Sequence, residues 1–462
     1  MMMKIQDTLS GRKKSLLKSK KGALKLFVCG PTVYDYIHIG NARTFIVFDA
    51  LVKYLRSQGY KIFYLQNITD IDDKIIRRAE ENNTTPKEIA VSFEKAFLED
   101  MQKLGVDATT KYARATDYIP EIAGQVQTLV KKGFAYKIEG DGYYFDIAKS
   151  RDYGKLAKRT REQAQDATSR IDESVRKRNK GDFNLWKFRQ EGEPSWETPL
   201  GRGRPGWHIE DTAITEHHFG PQYDIHGGGR DLIFPHHEAE IAQQESASGK
   251  KPFVRIWTHI GFVTVNGEKM SKSLGNFITV REFLKKHPPD ILRFLVLAHH
   301  YPKPLDYTEK TAEAARHSLE TIKEFLGKTK LAVNSGVKKP LPPALFKIGS
   351  YAKEFQNASN DDFNTPKAIA AIFSLISKLQ KMVWRMNPTQ AQTAAKFIKD
   401  SLKAMGLAIK VPKIPLGIRQ LADRREQLRN EGRFGPADKF RKKIENLGYE
   451  VEDTPIGTYI KP

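Results

Sequence analysis

The chain has a single cysteine, Cys29, in 462 residues. An intrachain disulfide is therefore impossible, a disulfide-stapled secreted scaffold is excluded, and a reducing compartment is expected. A lone thiol of this kind either fills core or carries chemistry. The sequence also lacks any apolar run of about 18 residues, so a transmembrane helix and a membrane partner are not expected. It contains no internal repeat. Acidic residues are in deficit, 55 against 77 basic, for a net charge of +22. Such a surplus suits a polyanionic partner, nucleic acid first, although solvated lysine faces produce the same count. The acid-poor opening from Met1 to Ala23 is rich in Lys rather than Arg and Ser, and it leads directly into the apolar Leu24–Val28. It reads as an N-terminal hairpin rather than a transit peptide, and the chain as cytoplasmic.

What is present is an ordinary globular composition, 39% hydrophobic and 29% charged. A chain of this length divides into about two to four domains. Leu26–Val28 reads as a buried strand, broken at Gly30-Pro31. A helix follows over Asn41–Ser57, with Phe45, Phe48, Leu51, Val52 and Leu55 at helical spacing, and then a second strand over Ile62–Asn67. Strand, helix and strand in succession begin a parallel sheet through a right-handed crossover, as in Rossmann-like α/β folds. From Tyr118 to Pro199 the pattern changes to a helix, a short strand at Tyr143–Ile147 and a charged stretch over Lys155–Lys180, which together read as an insertion. Strand-like segments resume at Tyr223–His226 and Ile256–Val265. Beyond Pro288 the chain is largely helical, for example Glu309–Phe325 and Lys367–Met386, with a surface linker over Val333–Pro343. A Pro-rich linker, Val411–Pro415, precedes a small basic unit with two short helices and a hairpin around Pro455-Ile456-Gly457. The expected divisions are 1–117, 118–199, 200–287, 288–410 and 411–462.

Two segments carry nucleotide chemistry. Cys29-Gly-Pro-Thr-Val-Tyr-Asp-Tyr-Ile-His38-Ile-Gly40-Asn41 joins the first strand to the first helix. Strand carboxyl end and helix N-terminus converge at such a junction, where α/β sheets bind ligands. His38 can donate to a phosphate there and Gly40 can admit a base; a plain capping turn is the alternative. The second segment is Lys269-Met-Ser-Lys272-Ser-Leu-Gly-Asn276, whose lysines can neutralise departing pyrophosphate as point charges. A solvated basic loop is its alternative.

A third constellation suggests a metal. In Phe234-Pro-His236-His-Glu-Ala-Glu240, His236 and Glu240 lie four apart and share a helical face, enough for one ion or for an i,i+4 hydrogen bond. Upstream stand Gly206-Trp207-His-Ile-Glu-Asp211 and Asp224-Ile-His226-Gly-Gly228-Gly229. The glycine run permits close backbone approach to a ligand. The same run occurs in esterases, but the chain has no Gly-x-Ser-x-Gly elbow to accompany it.

The two nucleotide segments resemble the paired signatures of class I aminoacyl-tRNA synthetases. Together with Asn67-Ile-Thr69-Asp-Ile-Asp-Asp-Lys74, Pro-Gly-Trp-His-Ile-Glu, His-Gly-Gly-Gly and Phe-Pro-His-His-Glu, they closely resemble the cysteinyl-tRNA synthetases from about Leu26 to the C-terminus. The resemblance implies a Rossmann-like catalytic domain with a connective insertion, a helical bundle that contacts tRNA, and a C-terminal anticodon-binding domain. It implies that His38, Gly40, Asn41, Gly228, Gly229 and Asp231 bind ATP, with Asn41 in place of the commoner His. It further implies that Lys269 and Lys272 serve the transition state, and that Thr69, Trp207 and His226 join Cys29 in shaping a cysteine pocket. Zinc in that family is held by two cysteines, a histidine and a glutamate. Carried over, the ligands are Cys29, His236 and Glu240, with Asp211 where the second cysteine belongs. Asp exchanges one anionic ligand for another, so zinc is expected to remain. ATP with Mg2+, L-cysteine and tRNA(Cys) are the implied partners, with the protein a monomer. Two other readings stay open: a ligase joining cysteine to a small amine, which generally lacks such a tail, and an RNA-binding paralogue without chemistry.

Overall fold

A computed structural model describes residues 2–18, 22–160, 163, 174, 176–271 and 274–461. It divides into two compact units, Met1–Thr308 with Asp361–Phe363, and Glu309–Asn360 with Asn364–Pro462.

The first unit opens with the expected hairpin, β1 (Lys4–Asp7) against β2 (Arg12–Ser15). Its centre is a five-stranded sheet made of β3 (Leu24–Val28), β4 (Ile62–Ile68), β5 (Lys111–Arg114), β10 (Tyr223–Gly229) and β11 (Val254–Ile260). The order is β11-β10-β3-β4-β5 and every pairing is parallel. The chain thus builds outward from β3 on one side and returns to its other side through β10. That reversal is a topological switch point, and a crevice opens beyond the strand ends there.

Helix α1 (Ile39–Ser57) links β3 to β4 and is buried over nearly its whole length, including Phe45, Phe48, Leu51, Val52 and Leu55. Even its polar residues are enclosed. The Arg43 guanidinium donates to the carbonyls of Gly261 and Phe262, each at 2.8 Å, and also to those of Tyr301 and Lys303. Asp49 accepts from the backbone of Asp107 and Ala108 and pairs with Arg293 at 2.7 Å. Buried charges of this kind are costly unless hydrogen-bonded, and here the terminal guanidinium nitrogens carry the bonds while Arg43 Nε has none.

The segment predicted as an insertion supplies three strands of a four-stranded antiparallel sheet, β6 (Ala135–Ile138), β7 (Gly142–Phe145) and β8 (Phe183–Phe188), and its helix is Ile119–Lys131. The fourth strand, β9 (Gly203–Pro205), lies just beyond the predicted boundary at Pro199. Phe145 and Phe183 stack at 5.1 Å in the segment's core. Much of the charged stretch 155–180 lies outside the described residues.

The strand-like segment Ile256–Val265 holds parts of two strands. After β11 the chain breaks at Gly261, and β12 (Val263–Val265) joins a separate sheet with β13 (Glu268–Lys269) and Leu305–Tyr307. A Cβ at Gly261 would fall 2.4 Å from the Lys303 carbonyl oxygen, so only glycine fits that corner.

The second unit is helical, with Glu309–Val333, Ile348–Asn360, Thr365–Gln380 and Pro388–Ala404. The helix expected to reach Met386 stops at Gln380, and a short turn of 3-10 helix follows at Val383–Arg385. The linker Val333–Pro343 is pinned at Leu341, which is buried and exchanges backbone hydrogen bonds with the Gln390 side chain. The basic tail forms the two helices Leu416–Asn430 and Phe434–Asn446, then a hairpin of Glu450–Thr454 with Gly457–Lys461. Among the described residues no helix is long and apolar enough to cross a membrane.

Candidate active site and metal centre

A cavity of about 440 Å³ lies at the carboxyl ends of β3 and β10. Both predicted nucleotide segments line it, through His38, Gly40 and Asn41 on one side and Lys269 and Met270 on the other. The backbone joins them directly. Ile39 N donates to the Ile278 carbonyl at 3.0 Å, and Val280 N to that of Ile37 at 3.0 Å.

His38 is the N-cap of α1. Its Nδ1 accepts from Gly40 N at 3.0 Å and Asn41 N at 3.2 Å, while Asn41 Oδ1 accepts from His38 N. The capping turn left open by the sequence is therefore real, and it coexists with a place on the cavity wall. Accepting at Nδ1 puts the proton of the neutral ring on Nε2, a donor. Gly40 is required by the cap itself, since a Cβ there would lie 2.7 Å from His38 Nδ1. Across the cleft, Asn276 closes the lysine loop: its Oδ1 accepts from Ser271 N at 2.8 Å and its Nδ2 donates to the Lys269 carbonyl. Lys272 lies outside the described residues.

The glycine run has a similar local cause. A Cβ on Gly227 would meet Phe48 Cζ at 2.1 Å, and one on Gly228 would meet His237 Cε1 at 2.8 Å. Aromatic side chains occupy the space that glycine leaves. Gly229 and Asp231 line the cavity. Gly228 is not among the lining residues.

At the cavity floor Cys29, Thr69, Trp207, Glu210, Asp211 and His236 come together. Cys29 is the first residue after β3. Helix α5 (Ile209–Phe219) carries Glu210 and Asp211 in its first turn, and helix α6 (His236–Ser248) carries His236 and Glu240. His236 Nε2 lies 3.0 Å from both Asp211 Oδ2 and Glu240 Oε1, and Cys29 Sγ lies 4.0 Å from Glu240 Oε1. His236 Nδ1 faces His208 Nδ1 at 2.8 Å, and Trp207 stacks on its ring at 4.5 Å. The ligand atoms of Cys29, Asp211, His236 and Glu240 all lie within 4.8 Å of one another, so this buried group can hold a metal ion. Asp211 Oδ1 is buried without a hydrogen-bond partner, and Glu240 Oε2 has only an ion contact with His226 Nδ1 at 3.4 Å, which fits donors meant for a cation.

Charge at the floor points the same way. Burial pushes the Cys29 thiol well above its usual range, and the charges of Asp211, Glu240 and Glu210 push it further. Burial raises Glu240 to about 8 against the lowering pull of His236. His236 rises to about 10, because the Glu240 charge and the bonds to Asp211 and Glu240 outweigh burial. A cation placed among these groups would reverse the first two shifts and free the histidine of its proton.

His226, expected on the wall of the cysteine pocket, instead stands behind Cys29, its Nε2 3.3 Å from the sulfur. Several participants went unassigned from sequence. His237 Nε2 lies 3.1 Å from the same sulfur. Glu210 accepts from Thr69 Oγ1 and from Asn67 Nδ2. Glu210, His208 and His237 all sit inside the motifs quoted above, and adjacency to Asp211 and His236 was the available signal.

The fold and these paired signatures define the class I aminoacyl-tRNA synthetases. The family model for the tRNA synthetase class I (C) catalytic domain matches residues 15–317, and the DALR domain model matches 354–410. Among solved structures, methionyl-tRNA synthetase of Mycobacterium tuberculosis with methionyl-adenylate shares the fold at TM-score 0.61 and 15% identity, covering 84% of this chain and 90% of that one. Closer relatives are the cysteine–tRNA ligase of Thermococcus gammatolerans, 42% identical over 100% of this chain and 99% of its own length, and that of Thermoplasma volcanium, 41% identical over 98% of each. The chain belongs to the cysteine–tRNA ligase family.

Proposed function

We propose that this enzyme joins L-cysteine to ATP, forming cysteinyl-adenylate and releasing pyrophosphate, and then transfers cysteine to the 3′ end of tRNA(Cys). The observation that carries the reading is the Cys29–Asp211–His236–Glu240 quartet at the floor of the cavity that both signature segments line. No protein nucleophile is needed, because the substrate carboxylate attacks the α-phosphate and the protein supplies position and charge. His38 and Asn41 donate to the triphosphate, Gly40, Gly229 and Asp231 border the nucleotide, and Mg2+ accompanies it. Lys269 and Lys272 neutralise the leaving pyrophosphate. Thr69, Trp207 and Cys29 shape the amino-acid end, with His226 behind Cys29.

Zinc is the proposed ion, with Cys29, Asp211, His236 and Glu240 as its ligands. Bound there, zinc offers the substrate thiolate a soft acceptor for which serine's hydroxyl is a poor match, and this supplies a discrimination that pocket shape cannot. Trp207, stacked on His236, and His208, bonded behind it, hold that ligand's ring in place. The largely helical stretch 288–410, whose residues up to Thr308 belong to the first unit, is assigned to the tRNA body and 411–462 to the anticodon. In the latter, exposed Arg419, Arg424, Lys439 and Lys442 and the exposed Phe434 ring offer phosphate contact and base stacking, whereas Arg425 is buried against Asp453. This tail favours tRNA over a small amine as acceptor. A monomer in the cytoplasm, where Cys29 stays reduced, completes the reading.

The test is transfer of labelled cysteine to tRNA(Cys) with ATP and zinc. Charging of cysteine with exclusion of serine is expected. Binding of that tRNA without charging would overturn the reading in favour of an RNA-binding paralogue.

A further inference from the structure

Cys29 and Glu240 belong to two donor groups rather than one. The first is the cavity-floor quartet. The second is Cys29, His226, His237 and Glu240, whose ligand atoms also lie within 4.8 Å of one another. We propose that this second group is a second zinc seat, sharing Cys29 and Glu240 with the first, and that it holds the ion while no cysteine is bound. The proposal rests on the reading above for the identity of the ion.

Three observations carry it. His226 Nε2 and His237 Nε2 converge on the Cys29 sulfur at 3.3 and 3.1 Å from two different elements, β10 and α6. A thiol has one proton to give, so it can donate to only one of these two ring nitrogens. Each ring is also held from behind, as metal-bound imidazoles are. The Tyr223 hydroxyl lies 2.6 Å from His226 Nδ1, and His259 Nε2 lies 2.8 Å from His237 Nδ1. His259 is in turn fixed at its other nitrogen by Thr8 Oγ1 at 2.7 Å. The donor sets differ in softness as well. The second offers one sulfur, two nitrogens and one oxygen, where the first, with Asp211, offers one sulfur, one nitrogen and two oxygens. Zinc, a borderline-soft ion, favours the nitrogen- and sulfur-rich set.

Access differs too. Asp211 and His236 line the cavity, whereas His226, His237 and Glu240 do not. Cys29 lines the cavity as well and serves both seats, so the first seat has three donors on the wall and the second has one; an ion in the first is the more open to a ligand in the cavity. Substrate sulfur adds a soft donor to the first seat, which reverses the preference and draws the ion forward.

X-ray absorption at the zinc edge, on full-length protein stripped of metal and reloaded with one equivalent of zinc alone, separates the seats by imidazole count. Two imidazoles and one sulfur per zinc are expected at rest, changing to one imidazole and two sulfurs when cysteine is added. His237→Asn is expected to halve the resting imidazole signal while zinc stays bound, and Asp211→Asn to leave that signal unchanged. A single imidazole in the resting wild-type spectrum would overturn the second seat and leave the proposed reaction standing. Two imidazoles in a protein that charges no cysteine would do the converse. Failure to take up zinc overturns both the seat and the zinc assignment.

Discussion

Gly227→Ala tests what the glycine run is for. The added methyl would sit 2.1 Å from Phe48 Cζ and 2.5 and 2.7 Å from the two Cε atoms, so it collides with the ring edge itself. Phe48 is fully buried on α1 and has no open side to swing into. Over-packing of this kind costs about 1–3 kcal/mol, and the steep overlap places this case toward the upper end. The loss of chain entropy in the unfolded state returns about 0.4–1 kcal/mol, so the net expected destabilisation is about 2 kcal/mol. Phe48→Ala alone costs about 3–5 kcal/mol through the cavity it leaves. In that background the Gly227 methyl meets empty space, and Gly227→Ala becomes neutral or slightly stabilising. The double-mutant cycle therefore carries a coupling of about 2 kcal/mol in the rescuing direction. Urea titration followed by tryptophan fluorescence measures it, with the m-value checked for constancy. Equal costs for Gly227→Ala with and without Phe48 would refute the packing account. They would return the glycine to a role in ligand approach, in which case Phe48→Ala would not restore substrate binding.

Three further outcomes are expected. Arg43→Met strands the carbonyls that the guanidinium serves, at about 1–3 kcal/mol each, so a loss of about 3 kcal/mol or more is expected in thermal unfolding, with Arg43→Lys intermediate. His218 is pulled down to about 4 by burial and by its cationic neighbours Lys111 and His217, so its neutral form contributes stability that is complete above pH 6.5 and lost as pH falls toward 4. His218→Gln should flatten the decline of Tm across that window, and parallel curves would refute the assignment. Lys272→Ala should slow adenylate formation about 100-fold, measured by pyrophosphate exchange, while tRNA affinity holds; unchanged exchange would remove Lys272 from the proposed chemistry.

The parts of the site that were legible in sequence are those set by local geometry. A strand, a Gly-Pro break and a helix start put His38 at a helix entrance without reference to anything distant. Cys29 and Asp211 were placed by resemblance, and the structure brings them beside His236 and Glu240 from three different elements. What could not be read was convergence through space. Spacing puts His236 and Glu240 on one helical face, but His237 stands at i,i+3 to the same glutamate and also turns toward Cys29. Nothing in the periodicity separates the two. Likewise Val333–Pro343 reads as surface because its composition is polar and Pro-bearing, and its one buried residue, Leu341, is fixed by Gln390, far along the chain. The segment Ile256–Val265 looks continuous because Gly261 interrupts neither its hydrophobicity nor its length; the interruption comes from the Lys303 backbone lying against it.

The charge layout ties the metal to the rest of the cavity. In a chain of net charge +22, Cys29, Glu210, Asp211 and Glu240 gather at a buried place with only histidines to offset them. Left without a cation, that floor opposes ionisation of any thiol near it, as the upward shift of Cys29 shows, and it would repel the carboxylate that must attack phosphate. A divalent ion cancels that field over a few ångströms, inside the low-dielectric floor where the effect is largest. Lys74 and Lys269 line the same cavity and suit a triphosphate, while Asp35 and Asp231 share that wall with them. The cavity thus carries both signs, with the buried carboxylates of Glu210 and Asp211 beside the group that can hold a cation. Asp211, where the resemblance places a second cysteine, changes the softness of that floor and not its charge.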